Sequence, residues 1–192
     1  MPRLTPELVL GAYCRGLFPM ARSRRGPIEW FRPDPRAIFD PYRIHLSRRL
    51  LRTVRSGPFD VRINADFAAV IAACAARAET WISPEVERVY GALHARGFAH
   101  SVEAYQDGAL VGGLYGVAIG GAFMGESMFH DVTDASKVCF AHLAARLRER
   151  GYLLLDTQFM TDHLASLGAY YVSAAEYDRL LARALHLDCR FA

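Results

Sequence analysis

The sequence predicts an α+β fold with a mostly antiparallel sheet. Residues 99–128 contain three apolar segments joined by glycine-containing turns, which is the pattern of strands connected as hairpins. A helical pattern at residues 137–150 and a short apolar strand at residues 152–155 follow. The tail, residues 162–186, has a helical pattern with a break at residues 166–169. Hairpins followed by a helix, a strand and terminal helices are typical of an α+β domain.

The N-terminal half contains helices with recognisable caps. Thr5, Ser47 and Ser83 are residues whose side chains can accept a hydrogen bond from the first turn of a helix. Pro6 and Pro84 strengthen two of these starts, because proline fits the first helical position. The predicted helices span residues 6–16, 47–56 and 84–96.

Further elements are predicted between these helices. Residues 59–63 alternate as a strand, and Asn64 or Asp66 can cap an alanine-rich helix that ends near Ala76. Residues 18–36 carry four prolines, so we expect this segment to be an irregular loop.

Composition excludes several classes of protein. With 192 residues and 52% hydrophobic content, the chain can bury a core of ordinary size, which excludes a disordered or fibrous protein. Residues 108–125 carry no charge, but seven of them are glycine, so we interpret the stretch as two strands and not as a membrane span. The four cysteines are widely spaced and form no C-x-x-C pair, so neither a metal site nor a disulfide scaffold is predicted.

The predicted location is the cytoplasm. The first residues of the chain lack the apolar core of a signal peptide. Unpaired cysteines also suit a reducing compartment.

Charge is distributed unevenly along the chain. The net charge is only +3, but residues 1–55 hold twelve arginines against four acidic residues. Such a cluster is typical of phosphate binding, although a solvated helix face has the same pattern. Four of these arginines share one face of the predicted helix 47–56: Arg48, Arg49, Arg52 and Arg55.

Two acidic residues lie where the pattern predicts buried strands. Glu126 follows a glycine-rich strand, and Asp156 ends an apolar one. A buried carboxylate is unfavourable unless it is hydrogen-bonded, paired or protonated. Asp156 could accept a proton from an amine, could polarise Gln158, which shares its face if the strand continues, or could only tie down the following turn. Glu126 could hold an amino group or form an ion pair with Lys137 or an arginine.

Nine short sequence blocks occur in one order between residues 18 and 169. The blocks are Phe18-Pro19, Trp30-Phe31-Arg32-Pro33-Asp34-Pro35-Arg36, Thr80-Trp81-Ile82, His100-Ser101-Val102-Glu103, Leu110-Val111-Gly112-Gly113-Leu114-Tyr115-Gly116-Val117, Gly125-Glu126-Ser127-Met128-Phe129, Ala135-Ser136-Lys137, Leu155-Asp156-Thr157-Gln158 and Ser166-Leu167-Gly168-Ala169. Together they resemble the leucyl/phenylalanyl-tRNA–protein transferase family, and their joint occurrence is far more specific than any single block.

This resemblance implies an enzyme that moves leucine or phenylalanine, and also methionine, from a charged tRNA to proteins that begin with arginine or lysine. The modified proteins are thereby marked for degradation in the bacterial cytosol. No metal and no coenzyme A is implied, because the aminoacyl ester is already activated. The expected partners are aminoacyl-tRNA and the acceptor proteins, with no membrane, and a monomer is expected.

The resemblance also implies two domains. Residues 1–34 would form a small N-terminal α/β domain with the proline-rich loop. Residues 35–192 would form an acetyltransferase-like (GNAT) catalytic domain, a layout that the order of elements also resembles. Because the chain begins close to its first helix, we expect it to lack an N-terminal extension found in longer members of the family.

The resemblance assigns roles to the acidic residues and to an apolar pocket. Glu126 would hold the amino group of the donor amino acid, and Asp156 would act with Gln158 at the acceptor amine. The pocket would accept leucine, phenylalanine and methionine and reject β-branched side chains, although ordinary core packing would explain the same residues. Its predicted lining is Leu114, Phe123, Met128, Phe140, Leu143 and Leu155.

The tRNA would be held by aromatic and basic residues. Trp81, Tyr13 and Tyr90 resemble aromatics that contact the terminal adenosine in this family, although Tyr90 also fits simple core packing. Met20 stands where the family carries a tryptophan, and it stacks less well on a base. Arg48, Arg49, Arg52 and Arg55, helped by Arg22, Arg24 and Arg25, are the predicted contacts to the acceptor stem.

Two other classes of function would explain parts of this pattern. A small-molecule N-acetyltransferase would share the fold and the amine chemistry, but the sequence lacks the R/Q-x-x-G-x-G/A loop that binds pyrophosphate at a helix start. A non-catalytic tRNA-binding module would explain the arginines without requiring Glu126, Asp156 or Gln158.

Overall fold

The computed structural model describes residues 3–77 and 80–192, which form a mixed α/β fold around a sheet. The helices are α1 (Pro6–Tyr13), α2 (Arg48–Ser56), α3 (Phe67–Ala75), α4 (Pro84–Ala95), α5 (Ala135–Glu149), α6 (Asp162–Ser166) and α7 (Ala174–Leu185). The strands are β1 (Phe18–Ala21), β2 (Ile28–Phe31), β3 (Arg36–Phe39), β4 (Asp60–Ile63), β5 (Ala99–Gln106), β6 (Ala109–Ile119), β7 (Ala122–His130), β8 (Leu154–Gln158) and β9 (Tyr170–Val172).

The main sheet is mostly antiparallel, which confirms that prediction. Its seven strands lie in the order β4-β5-β6-β7-β8-β3-β9, and β7 pairs with β8 in parallel. The remaining neighbours pair antiparallel. Strands β1 and β2 form a separate two-stranded antiparallel sheet.

The helix starts follow the capping residues of the sequence. Thr5, Ser47 and Ser83 are the N-caps of α1, α2 and α4, and each side chain accepts a hydrogen bond from a backbone N–H of the first turn. Asp66, not Asn64, caps α3. These predictions are confirmed. A cap can be predicted from sequence because it depends on residues that are close together in the chain.

The segment predicted as an irregular loop contains strands β1, β2 and the start of β3, so that prediction is wrong. Pro19 lies in β1, opposite Trp30 of β2. A proline is tolerated there because each strand of a two-stranded sheet has one free edge, on which a missing N–H loses no hydrogen bond. Pro33 and Pro35 lie between strands β2 and β3.

Two elements near the C-terminus also differ from their predictions. Strand β8 continues to Gln158, so Asp156 lies inside the strand and not at its end. Residues 170–172 form strand β9 within the predicted helical tail, and β9 pairs with β3.

The core consists of two apolar clusters. One cluster contains residues of α3, α4 and α7, together with Tyr115 of β6. The other contains residues of α5 and Leu114 of β6. Neighbouring residues of one strand point to opposite faces of a sheet, so helices cover both faces of the central strands. Within the described parts of the chain, no helix is both long enough and apolar enough to cross a membrane.

Candidate active site

A cavity of about 480 Å³ lies where strands β7 and β8 separate. Their parallel pairing joins residues 122–124 to residues 154–156 and ends there. Beyond this point, residues 125–128 of β7 and residues 157–158 of β8 line the cavity. A volume of this size is typical of a site for a small molecule or a bound side chain.

A β-bulge presents Glu126 at this cavity. Tyr115 of β6 lies opposite Ser127, while Gly116 lies opposite Gly125, so Glu126 is the extra residue of β7. A Cβ atom at Gly116 would lie 2.3 Å from the carbonyl oxygen of Met124, so only glycine fits there. Bulges redirect side chains near active sites, and this one directs a carboxylate into the cavity wall.

Two buried tyrosines hold the Glu126 carboxylate. The Tyr13 hydroxyl donates to Oε1 at 2.5 Å, and the Tyr90 hydroxyl donates to Oε2 at 3.2 Å. The two hydroxyls are also 2.5 Å apart. Lys137, a predicted alternative partner of Glu126, instead forms an ion pair with Asp134.

Tyr13 and Tyr90 therefore have contacts that differ from the predicted ones. Their side chains are 1% and 0% exposed. A stacking contact needs an exposed ring face, so neither ring is available to an adenosine in this structure. Their place in the site is as hydrogen-bond donors to Glu126.

Burial raises the pKa of Glu126 to about 7, although the hydrogen bonds from Tyr13 and Tyr90 act in the opposite direction. Burial also raises the pKa of both tyrosines well above 10, so they remain donors near neutral pH. A positively charged ligand beside Glu126 would stabilise the ionised form of this buried carboxyl group. The cavity wall is therefore suited to bind a cation.

Asp156 is fully buried in a hydrogen-bonded ion pair with Arg36. Nε of Arg36 donates to Oδ1 of Asp156 at 2.9 Å, and Nη2 donates to Oδ2 at 2.6 Å. The Tyr177 hydroxyl donates to Oδ2 at 2.8 Å, and the backbone N–H of Gln158 donates to Oδ1 at 3.0 Å. The predicted contact of Asp156 to the following backbone is thus present, within a larger cluster.

Sequence reasoning missed Arg36 and Tyr177 as site residues. Arg36 ends the second of the nine blocks, and it is followed by the apolar residues Ala37, Ile38 and Phe39 of strand β3. An arginine at the start of a buried strand needs an acidic partner, and this was the available signal. Tyr177 lies in helix α7 without a comparable signal.

Gln158 lies in the cavity wall at the end of β8. Its φ of 61° is in the left-handed region, so the residue leaves the regular strand path there. Thr157, the preceding residue, is the extra residue of a second bulge, opposite the step from Ala37 to Ile38. The Nε2 atom of Gln158 is buried and has no hydrogen-bond partner among the described residues.

Five of the six predicted pocket residues line the cavity: Leu114, Met128, Phe140, Leu143 and Leu155. Phe123 lies elsewhere, because its ring stacks on Phe191 with centroids 5.1 Å apart. Further lining residues come from the segment after β8 and were not predicted: Phe159, Thr161, His163 and Leu164.

Trp81 and Met20 lie between this cavity and a second, open one of about 780 Å³. Arg22, Arg24 and Arg25 line the second cavity, and Arg77 lines both. The basic loop between β1 and β2 is therefore next to the cavity that contains Glu126. The positive charge of its arginines attracts phosphate groups.

The arginines of α2 lie outside the residues that line these two cavities. Arg48, Arg52 and Arg55 are exposed. Arg49 forms a 2.6 Å ion pair with Asp134, just before helix α5. The structure thus separates the predicted basic cluster into the α2 face and the β1–β2 loop. Within the described residues, no group of three or more His, Cys, Asp or Glu side chains could hold a metal ion.

Comparisons with known proteins identify the family. The family described as leucyl/phenylalanyl-tRNA protein transferase matches residues 38–182, and the N-terminal domain of that family matches residues 3–34. The leucyl/phenylalanyl-tRNA–protein transferase of Rubrobacter xylanophilus is 56% identical over 99% of this chain and 100% of its own length. The protein of the same description from Gloeobacter violaceus is 52% identical over 98% of this chain and 97% of its own length.

These matches define an enzyme of the aminoacyltransferase class. The chain belongs to the leucyl/phenylalanyl-tRNA–protein transferase family, as the nine sequence blocks predict. Among solved structures, it is similar to the ribosomal-protein-alanine N-acetyltransferase of Brucella melitensis, with a TM-score of 0.39 and 20% identity over 56% of this chain and 87% of that one.

Proposed function

We propose that this protein transfers leucine, phenylalanine or methionine from aminoacyl-tRNA to the α-amino group of proteins that begin with arginine or lysine. The observation that carries the proposal is the cavity of about 480 Å³, which has apolar walls together with Glu126 and Gln158. An aminoacyl donor likewise has an apolar part and a polar part, namely its side chain and its charged amino group.

The donor amino acid would occupy the cavity in one orientation. Its side chain would lie among the apolar lining residues, such as Leu114, Phe140 and Leu143, and its ammonium group would contact Glu126. A hydrogen bond between charged groups is stronger than a neutral one. The ester carbonyl would then lie on the side of Gln158, where the acceptor amine attacks.

The reaction in this site would be aminolysis of the ester. The acceptor nitrogen forms a bond to the carbonyl carbon, and the bond from that carbon to the tRNA ribose oxygen breaks. The nitrogen loses one proton and the ribose oxygen gains one, so the atoms balance without a cofactor. Holding the two reactants in contact supplies much of the rate enhancement in such a step.

The 3′ end of the tRNA would enter beside Trp81 and Met20. Trp81 can stack on the terminal adenosine, which is worth about 1 to 3 kcal/mol. Arg22, Arg24 and Arg25 in the neighbouring cavity would attract the phosphate groups. The exposed α2 arginines would contact the acceptor stem farther away.

The remaining features are proposed by resemblance to the family. Residues 1–34 would form the small N-terminal domain, and residues 35–192 would form an acetyltransferase-like catalytic domain. The protein would act as a monomer in the cytoplasm, and its products would be marked for degradation.

The proposal is tested by transfer of labelled leucine from leucyl-tRNA to a peptide that begins with arginine. The same peptide with alanine at its first position is the matched control. The intact protein should label the arginine peptide, and the Asp156→Ala variant should not. Absence of transfer by the intact protein would refute the proposed function.

Enlarging a side chain in the pocket should change donor preference. Leu114→Phe adds volume to the cavity wall, so phenylalanine transfer should fall at least about tenfold more than leucine transfer. The measurement is the ratio of kcat/KM values for phenylalanyl-tRNA and leucyl-tRNA. Both donors are compared on one variant, so a smaller fraction of folded protein lowers both kcat/KM values equally and leaves their ratio unchanged. An unchanged ratio would mean that Leu114 does not face the donor side chain.

Charge reversal on α2 should weaken tRNA binding. The Arg48→Glu, Arg52→Glu double variant should raise the Kd and reduce the slope of log Kd against log salt by about one to two. The Arg148→Glu, Arg150→Glu double variant is the matched control, because it makes the same change of charge with two exposed arginines at the C-terminal end of α5, away from Asp134. Equal salt slopes for the two variants would exclude α2 from the tRNA surface.

A further inference from the structure

Asp156 has no free position at which to accept a proton. Each carboxylate oxygen has two acceptor positions in the plane of the group. Oδ1 accepts from Arg36 Nε and from the Gln158 backbone N–H, and Oδ2 accepts from Arg36 Nη2 and from the Tyr177 hydroxyl. The side chains of Asp156 and Arg36 are 0% and 1% exposed, so a substrate amine does not reach this group directly.

We propose that Arg36 and Tyr177 are positioning residues, which hold Asp156 as a fixed anchor for Gln158. The inference rests on the proposed function, because Gln158 is the member of this cluster that lines the cavity. The contact that transmits the effect is the 3.0 Å hydrogen bond from the Gln158 N–H to Oδ1 of Asp156.

Gln158 needs such an anchor because of its backbone conformation. A residue with a side chain is disfavoured in the left-handed region, where Gln158 has its φ of 61°. The hydrogen bond to Asp156 compensates for this cost and selects one backbone conformation. The amide side chain is then held at the cavity wall before substrate binds, which is the preorganisation that aminolysis requires.

Arg36 is itself held on several sides. Its Nη1 donates to the carbonyl oxygen of Gly16, 3.0 Å away. Its guanidinium lies 4.9 Å from the ring centre of Phe18 and 4.5 Å from that of Tyr177. A Cβ atom at Gly16 would lie 3.1 Å from the Tyr177 ring, so the chain after α1 packs tightly against α7. The cluster therefore connects Gln158 to three distant parts of the sequence, which contain Gly16 and Phe18, Arg36, and Tyr177.

This arrangement indicates which group receives the proton that the attacking nitrogen loses. Both oxygens of Asp156 are already occupied by hydrogen-bond donors, and Arg36 is its counter-ion. The proton lost by the attacking nitrogen passes to the ribose oxygen as its bond to carbon breaks, so no protein carboxylate gains or loses a proton in the balance.

Tyr177→Phe tests the inference, because it removes one donor to Asp156 and keeps the aromatic ring. Tyr152→Phe is the matched control. Tyr152 is also fully buried, and its hydroxyl has no hydrogen-bond partner within the described residues. Both variants are assayed for kcat, for KM of leucyl-tRNA and of the arginine peptide, and for the pH dependence of kcat. The assays are made well below the unfolding midpoint of each variant.

The expected result is a fall of about tenfold in kcat for Tyr177→Phe. Both KM values and the shape of the pH profile should be unchanged, and Tyr152→Phe should keep its kcat. If Asp156 were the general base, loss of a donor would move the acidic limb of the profile to higher pH. That movement, or an unchanged kcat, would overturn the inference.

A second variant covers the case in which Tyr177→Phe does not fold. Arg36→Lys keeps the positive charge but cannot form the paired hydrogen bonds to Asp156. It should show the same loss in kcat with unchanged KM values, and a kcat equal to that of the intact protein would again overturn the inference. If the intact protein itself transfers no leucine, the proposed function fails, which is a different outcome.

Discussion

Replacement of Asp156 by alanine should destabilise the protein by about 3 to 5 kcal/mol and abolish leucyl transfer. The loss of stability follows because Arg36, which is 1% exposed, would be left as an unpaired buried charge. The loss of activity follows because the Gln158 N–H would lose its acceptor. The measurements are urea unfolding and the transfer assay, both on purified variants.

The matched control is Asp178→Ala. Asp178 also pairs with an arginine, Arg32, but the two side chains are 50% and 41% exposed. Exposed ion pairs contribute about 0 to 1 kcal/mol, so this variant should remain close to the intact protein in stability. A loss of less than about 1 kcal/mol for Asp156→Ala would contradict the buried ion pair.

A double variant separates folding from activity. Arg36→Met with Asp156→Leu removes both charges and replaces them with apolar side chains of comparable size. Such exchanges are often neutral for stability, so the double variant should fold. It should still transfer no leucine, because Gln158 would have lost its anchor. Transfer by the double variant would show that the cluster has only a structural role.

Local features of the chain were predictable from sequence. Helix starts at Thr5, Ser47 and Ser83 depend on hydrogen bonds within a few residues, and the hairpin of β6 and β7 depends on its glycine turn. Membership of the family was predictable because nine blocks occur in one order. These signals do not depend on which distant residues meet in the fold.

Tertiary contacts were not predictable in this way. The hydroxyl of Tyr13 reaches Glu126 across 113 residues, and Arg36 reaches Asp156 across 120 residues. Nothing in the periodicity of either segment indicates these pairs. The strand β1 was missed for another reason, because the prohibition of proline in sheets does not apply to a free strand edge.

Replacement of Glu126 by glutamine should raise stability and lower activity. The unfolded chain releases the proton of this carboxyl near its ordinary pKa of 4.5, whereas the folded protein holds the proton until the raised pKa of about 7. Stability therefore falls as pH rises from about 4.5 to 7, and the full cost of ionisation is present above that window. Removing the charge should stabilise the protein by up to about 3 kcal/mol at pH 8.

The activity of Glu126→Gln should fall, although its stability rises. A glutamine cannot pair with the ammonium group of the donor, so kcat/KM for leucyl-tRNA should fall about 10- to 100-fold. In the intact protein, affinity for leucyl-tRNA should also decrease below about pH 7, as Glu126 gains a proton. That acidic limb should be absent from Glu126→Gln.

Glu103→Gln is the matched control for the stability effect. Glu103 is 0% exposed, and it accepts hydrogen bonds from the backbone N–H groups of Ala65 and Asp66 and from the Ser101 hydroxyl. Glutamine would direct an NH₂ group at one of these donors, so this variant should be less stable. Thermal unfolding at pH 5 and pH 8 provides the comparison. An unfolding midpoint of Glu126→Gln below that of the intact protein at pH 8 would show that ionised Glu126 does not destabilise the fold.

The cavity beside Gln158 is proposed to hold an aminoacyl donor supplied by tRNA. The most direct measurement is mass spectrometry of a peptide that begins with arginine, after incubation of the intact protein with leucyl-tRNA or with acetyl-CoA. With leucyl-tRNA, a single leucine should be added to the α-amino group, and acetyl-CoA should give no product. An acetylated peptide, or an unmodified one in both reactions, would show that the cavity does not hold an aminoacyl donor supplied by tRNA.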